Sequence, residues 1–320
     1  MRGMEDYPKT LLEFERRFAS DEACRAYLVA LRWPEGFRCP RCGHERSWLN
    51  SRGLFECATC HRQTSVTAGT IFQDTRKPLM LWFRAMWYVT SQKIGVSALG
   101  LQRVLGLGSY ETAWVWLHKL RRAMVRPGRD RLQGVVEVDE TYLGGEKPGK
   151  RGRGAAGKSL VVIAAEEDGA GIGRIRLLRV IGHSGQSLQA AVQACVAPNS
   201  VVHTDGLTSY SGLSELGYRH EVVRKGSAEV GEDPLPRAHR IAALLKRWML
   251  GTHQGAIRPS HLDYYLDEFT FRFNRRTSRS RGKLFYRLAQ QAVRADPLPQ
   301  HRIRGGTMGQ SEDQPDRPHE

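Results

Sequence analysis

Two aspartates stand inside runs that otherwise look like β-strands. Asp139 lies in VVEVDETYLGG and Asp205 closes SVVHTDG. A carboxylate taken out of water without a partner costs roughly several kcal/mol, so acids embedded in apolar strands need one. A divalent cation would serve. Magnesium takes oxygen ligands and keeps water and phosphate in its remaining positions. Two such ions about 4 Å apart can activate the attacking oxygen and stabilise the leaving one in phosphoryl transfer. Glu137 shares strand parity with Asp139 and is expected on the same side, with Glu140 on the other. The competing reading makes both aspartates turn or salt-bridge residues.

A second set of ligands is more compact. Cys39 and Cys42 sit in CPRCG, Cys57 and Cys60 in CATC, with fourteen residues between the pairs. Each C-x2-C can form a knuckle, and four thiolates complete a tetrahedral zinc site. His44 and His61 flank the pairs, but the four cysteines suffice. A ribbon of this size cannot pack a core alone, so metal binding supplies its folding energy. Cys24 and Cys195 lie in helical apolar contexts and are expected in the core.

One motif is misleading. Gly152 to Ser159 matches the phosphate-binding pattern G-x-x-x-x-G-K-S, but it follows a basic Gly-rich run and precedes LVVIAA, a strand. A true phosphate loop follows a strand and opens a helix. The segment is better taken as a basic loop. Lys147, Lys150, Arg151, Arg153 and Lys158 stand there against one acid, Glu146, and such a loop can track a nucleic-acid backbone.

These groups need elements to hold them. Residues 1–32 form a helical lead-in and 33–72 the zinc ribbon. Over 73–130 the apolar positions recur at helical spacing. VSALGLQRVLGLG and SYETAWVWLHKLRRAM, joined by a Gly-containing turn and with Ser109 as N-cap, have the form of a helix-turn-helix. From residue 134 the texture turns to strands, in the order β-β-β-α-β-α, with helices expected over 238–250 and 260–272. That order suits an α/β domain of RNase H-like type over 134–295. The segment 303–320, rich in Gly, Gln, Asp and Pro, is expected to be disordered.

Composition bounds the partners. Among 320 residues, 49 Lys and Arg face 33 Asp and Glu, a net charge of +16. That surplus selects a polyanion, nucleic acid or an anionic surface. No apolar stretch is long enough to span a bilayer, and the N-terminus lacks the apolar core of a signal peptide, so a cytosolic protein is expected.

The combined motifs resemble the zinc-ribbon DDE-type insertion-sequence transposases of the IS-fifteen-ninety-five family. The likeness runs over roughly residues 10–290. It rests on CPRCG…CATC, TAGTIFQDTRKPL, VEVDETYLGG with KRGRGAAGK, VVHTDGLTSY and HRIAALLKRWMLGTHQG…LDEFTFRFNRR. The resemblance implies an RNase H-like fold, Mg2+ or Mn2+ as catalytic metal, zinc as structural metal, and cleavage and strand transfer on double-stranded DNA. The ribbon and the helix-turn-helix would bind the terminal inverted repeats of the element. A homo-oligomer on DNA is expected, because two ends must be brought together. Carried over by position, Asp139 and Asp205 are the acids, and the third ligand falls at His239, where Glu is common. Imidazole is a poorer ligand for Mg2+ and a better one for Mn2+. Glu232 and Glu268 are alternative third ligands, though Glu268 is placed to pair with Arg272 at i+4. Lys246, Arg247, Arg275 and Arg276 are candidate phosphate contacts. The rival readings are a non-catalytic zinc-ribbon DNA-binding regulator, a decayed copy, or an RNase H-like nuclease without joining activity.

Overall fold

The computed structural model describes residues 5–125, 128–144, 158–223, 233–255 and 257–305. Its centre is a mixed five-stranded sheet. β4 (Val135–Leu143), β5 (Ser159–Asp168) and β6 (Gly171–Val180) run antiparallel. β7 (Val201–Thr204) and β8 (Arg219–Val222) continue parallel to β4, giving the order β6-β5-β4-β7-β8. A parallel return needs a crossover, and α6 (Gly185–Cys195) supplies it on one face. α7 (Pro236–His253) and α8 (Leu262–Phe273) cover the other.

The alternation of β4 divides the two layers. Val136 and Val138 pack toward Leu188, Ala191 and Val192 of α6. Leu143, with Val161 and Ile163 of β5, packs toward Ile241 and Leu245 of α7. Glu137 and Asp139 share the parity of Leu143, so they lie on the α7 side. β5 is apolar on both faces because helices cover both.

The N-terminal half is helical apart from the ribbon. α1 (Leu11–Arg17), α2 (Asp21–Arg32), α3 (Leu79–Ser91), α4 (Ala98–Leu105) and α5 (Tyr110–Ala123) share one core, where Trp82 stacks on Trp116 at 3.8 Å. Thr10, Ser20, Ser97 and Ser109 cap four of these helices with side-chain oxygens. α3 begins at Pro78, which has no side chain to cap with, and Asp21 accepts from the N–H groups of Leu79 and Met80 instead. α9 (Arg281–Ala292) comes after the sheet in sequence but packs Phe285, Leu288 and Ala292 into this N-terminal core. α10 (Gln300–Gly305) closes the described chain.

Between the two halves lies a buried ion cluster. Glu268 of α8 accepts from Arg121 of α5 at 2.7 Å and from Arg272 at 2.8 Å, and Arg121 and Glu268 are almost wholly buried. Arg272 also donates to the carbonyls of Val89 and Gln92 at the end of α3.

Candidate catalytic site and zinc ribbon

The ribbon is a three-stranded antiparallel sheet of β1 (Ser47–Leu49), β2 (Phe55–Cys57) and β3 (Gln63–Thr64). Its two knuckles are built alike. Gly43 N–H bonds to Cys39 carbonyl at 2.9 Å and His61 N–H to Cys57 carbonyl at 3.1 Å, and both Gly43 and His61 take positive φ. The sulfurs of Cys39 and Cys60, Cys42 and Cys57, and Cys42 and Cys60 lie 3.6, 3.6 and 3.5 Å apart. Four thiolates at about 2.3 Å around one tetrahedral ion would stand about 3.8 Å from each other, so the donor set fits zinc. Burial works against the Cys39 thiolate, but the N–H groups of Cys42 and Arg41 outweigh it and pull its pKa down. His44 and His61 are outside the group of four.

The second site is assembled by α7. Its first residues offer no side-chain cap, and Pro236 opens the helix. The missing cap comes from the sheet. The Glu137 carboxylate accepts from Arg237 N–H at 2.7 Å and Ala238 N–H at 2.9 Å, and pairs with the Arg237 guanidinium at 2.8 Å. One turn of α7 is thereby fixed over β4, and His239 comes down beside Asp139. Its Nε2 is 3.3 Å from Asp139 Oδ2, while its Nδ1 is 2.5 Å from Asp233 Oδ1.

Asp205 approaches from the neighbouring strand. β4 and β7 pair with Glu137 opposite His203, so the same register carried two residues further sets Asp139 beside Asp205. Asp205 directly follows the strand and accepts from Leu207 N–H at 3.0 Å. The Asp139 carboxyl is pushed up to about 6, first by burial and further by the nearby charges of Glu140 and Asp205. Asp139, Asp205 and His239 do not close to a mutual spacing of 4.8 Å. Among the described residues only the cysteines form such a group.

The donor chemistry suits a divalent cation. A neutral imidazole has one donor and one acceptor nitrogen. His239 has a carboxylate at each nitrogen, so one contact needs a positive charge between two lone-pair-bearing atoms. A proton or a metal ion meets that need.

The opposite face of β4 holds a separate cluster. Tyr210 donates to Glu140 at 3.1 Å, His183 Nδ1 lies 3.6 Å from Glu140, and Tyr142 meets His183 Nε2 at 2.5 Å. Tyr142 and His183 line a cleft of about 880 Å3 together with Lys158 and Arg179. The strand parity that separates Glu137 from Glu140 is as the alternation predicts.

Other expected site residues fall as follows. Lys246 and Arg247 are exposed on the outer side of α7. Arg275 stacks on Phe271 and Arg276 on Phe273, and Arg276 donates to the carbonyls of Gly173 and Ile172. Lys147, Lys150, Arg151, Arg153 and Glu232 lie outside the described residues. Glu268 is bound up with Arg121 and Arg272, away from Asp139. Asp233 and Arg237 had no signal in the sequence beyond an Asp-Pro pair ahead of a helix start.

The chain is similar to known transposase domains. The ISXO2-like transposase domain matches residues 131–274, and the transposase zinc-ribbon domain matches residues 19–63. The chain is similar to an uncharacterized protein in transposable element ISH50 of Halobacterium salinarum. The two are 28% identical over 290 residues, which cover 84% of this chain and 95% of the relative. The first match begins beside Leu132, which bridges to Val196 just ahead of β4, and it ends as α8 does. A transposase zinc-ribbon domain followed by an ISXO2-like transposase domain is the organisation this chain shares with insertion-sequence transposases.

Proposed function

We propose that the protein is a DDE-type DNA transposase in which Asp139, Asp205 and His239 hold Mg2+ or Mn2+ on an RNase H-like domain. The observation that carries this reading is the meeting of Asp139, on the central strand, with His239 of α7 at 3.3 Å, beside the strand end that bears Asp205. The sheet supports it, with three antiparallel strands continued by two parallel ones and helices on both faces.

When bound, the metal supplies the positive charge that activates the attacking oxygen and stabilises the leaving one. The protein's own part is positioning. β4 and β7 hold the two acids on rigid backbone, and α7 sets the imidazole opposite them. Lys158, Lys246 and Arg247 would contact phosphates, as would the basic loop that ends at Lys158. Arg275 and Arg276, stacked and bonded to carbonyls, would brace the end of α8 more than meet DNA. α4 and α5, joined through left-handed Gly106, would act as the helix-turn-helix and, with the ribbon, bind the inverted repeats. Water first cleaves a phosphodiester at the element end and frees a 3′-OH. That hydroxyl then attacks a target phosphorus in line, joining the strands and expelling the target's own 3′ oxygen. Two ends require at least two subunits on DNA.

Supercoiled plasmid bearing the element ends, incubated with Mg2+ or Mn2+, tests the reading. Joined products support it. Nicks alone would make the protein a nuclease, and a gel shift without cleavage would make it a binder.

A further inference from the structure

His239 is held at both ring nitrogens, and the partner on its far side is a residue the catalytic reading does not use. Asp233 Oδ1 lies 2.5 Å from Nδ1. The same oxygen accepts from Leu235 N–H at 3.1 Å, so Asp233 is itself tied to the turn that opens α7. Glu137 fixes the next two residues of that turn. The imidazole is therefore gripped from Nδ1 by a carboxylate that the backbone holds in place, while Nε2 faces Asp139.

We propose that Asp233 is a positioning residue that accepts the Nδ1 proton of His239 and so presents Nε2 to the divalent cation shared with Asp139 and Asp205. This rests on the reading of those three residues as the metal-holding set. The physical logic is general. A histidine that binds metal through one nitrogen needs the proton on the other, and a carboxylate there fixes the tautomer, sets the ring plane and raises the basicity of the ligating nitrogen. His239 and Asp233 are both part-exposed, with side-chain exposures of 44% and 43%. Without that bond the imidazole would be free to turn toward solvent, and metal affinity would fall.

The competing role is purely local. Asp233 accepts from Leu235 N–H in a turn that any short polar side chain can make. Serine separates the two roles, because it can keep the turn but is too short to reach the imidazole. Asparagine keeps an acceptor for both bonds.

The test is Mn2+ affinity of the full-length, zinc-loaded protein, read by electron paramagnetic resonance of free Mn2+ and independent of DNA cleavage. Asp233→Ser is expected to weaken Mn2+ binding by about 10- to 100-fold, and Asp233→Asn to recover most of that loss. In a His239→Ala background, Asp233→Ser should change affinity less than about twofold, since coupled residues lose their effect together. If Asp233→Ser binds Mn2+ as wild type while His239→Ala is weakened, the role of Asp233 is refuted and the metal site stands. A loss that persists without His239 also overturns it. If His239→Ala itself leaves Mn2+ affinity unchanged, the assignment of His239 as ligand falls, and with it the reason for Asp233.

Discussion

Glu137 accepts the backbone N–H groups of Arg237 and Ala238, one hundred residues further along the chain, and closes the open end of α7 from inside the sheet. The side chain is almost wholly buried. Removing it leaves two donors and the Arg237 guanidinium without their acceptor. Glu137→Ala should cost about 3 kcal/mol in urea unfolding, the scale for breaking one side of a buried pair. Glu137→Gln, which keeps one acceptor oxygen, should cost less. Wild-type stability for Glu137→Ala would contradict the capping role.

Asp139 should trade stability for chemistry. Its pKa is raised in the folded state from 3.8 to about 6, mainly by burial, so the fold prefers it protonated. At pH 7 the carboxylate is charged and its full penalty is present, and that one penalty fades as pH falls through 6 toward 3.8, against the larger losses from other groups. Metal-free Asp139→Asn should therefore melt higher than wild type at pH 7, by about 3 kcal/mol in stability. It should cleave no DNA. Asp205→Ala should also abolish cleavage, and both should keep binding to element ends. Residual strand transfer by either variant counts against the assignment.

Zinc should be stoichiometric and structural. One zinc per chain is expected on release with a mercurial, and Cys60→Ser should lower retention. Stripping the ion should open residues 33–64 to trypsin while the mixed sheet survives, because the ribbon's own apolar core is small and centres on Trp33, Phe37 and Phe55. Resistance of that segment in metal-free protein would argue against a metal-dependent fold.

Acid should loosen the contact between α5, α7 and α8. Burial keeps His118 and His253 neutral, down to about 3 and about 4. Both bind protons more readily when unfolded, so the stability they contribute is lost as pH falls below 6.5. Burial opposes the Glu268 charge, but Arg121 and Arg272 outweigh it and hold that carboxyl at about 2. Its contribution is intact above 4.5 and drains away below. Thermal melts from pH 7 to pH 3 should fall in two stages, and Glu268→Gln should flatten the lower one. A melting temperature constant across that range would refute the scheme.

Gly282 opens α9 against the N-terminal chain. A Cβ there would lie 1.6 Å from the Pro8 carbonyl oxygen, a backbone atom that has no rotamer to yield. Gly282→Ala should destabilise the protein by about 1–3 kcal/mol despite the better helix propensity of alanine. An unchanged or raised melting temperature would show that the N-terminal segment does not pack there.

Much of this was legible in the residues. Period-2 alternation announced β4, and the order of three strands ahead of a helix announced β5, β6 and α6. Cysteine spacing announced the ribbon. What escaped was set by distance and exposure. β8, the tetrapeptide RHEV, is a short, mostly polar edge strand with no apolar face to read. α9 has helical periodicity, but its partner α3 lies nearly two hundred residues earlier, and periodicity does not name partners. Asp233 was one acid in a Gly- and Pro-rich stretch, and only the fold brings it to His239. Conversely, the pairing of Glu268 with Arg272 followed from i+4 spacing, whereas Arg121 reaches the same carboxylate from the other half of the molecule.

That shared carboxylate bears on how such proteins can be shuffled. A fragment starting at the mixed sheet would keep Glu268 and forfeit Arg121, exposing a hollow where a guanidinium had been, and would also strand α9 without its helical hosts. A front end borrowed from a relative must bring an arginine to the same spot, or the graft fails at its seam. The helical front end and the mixed-sheet half of this chain are thus tied together through Arg121 and α9, and exchanging one without the other would break the fold at that joint.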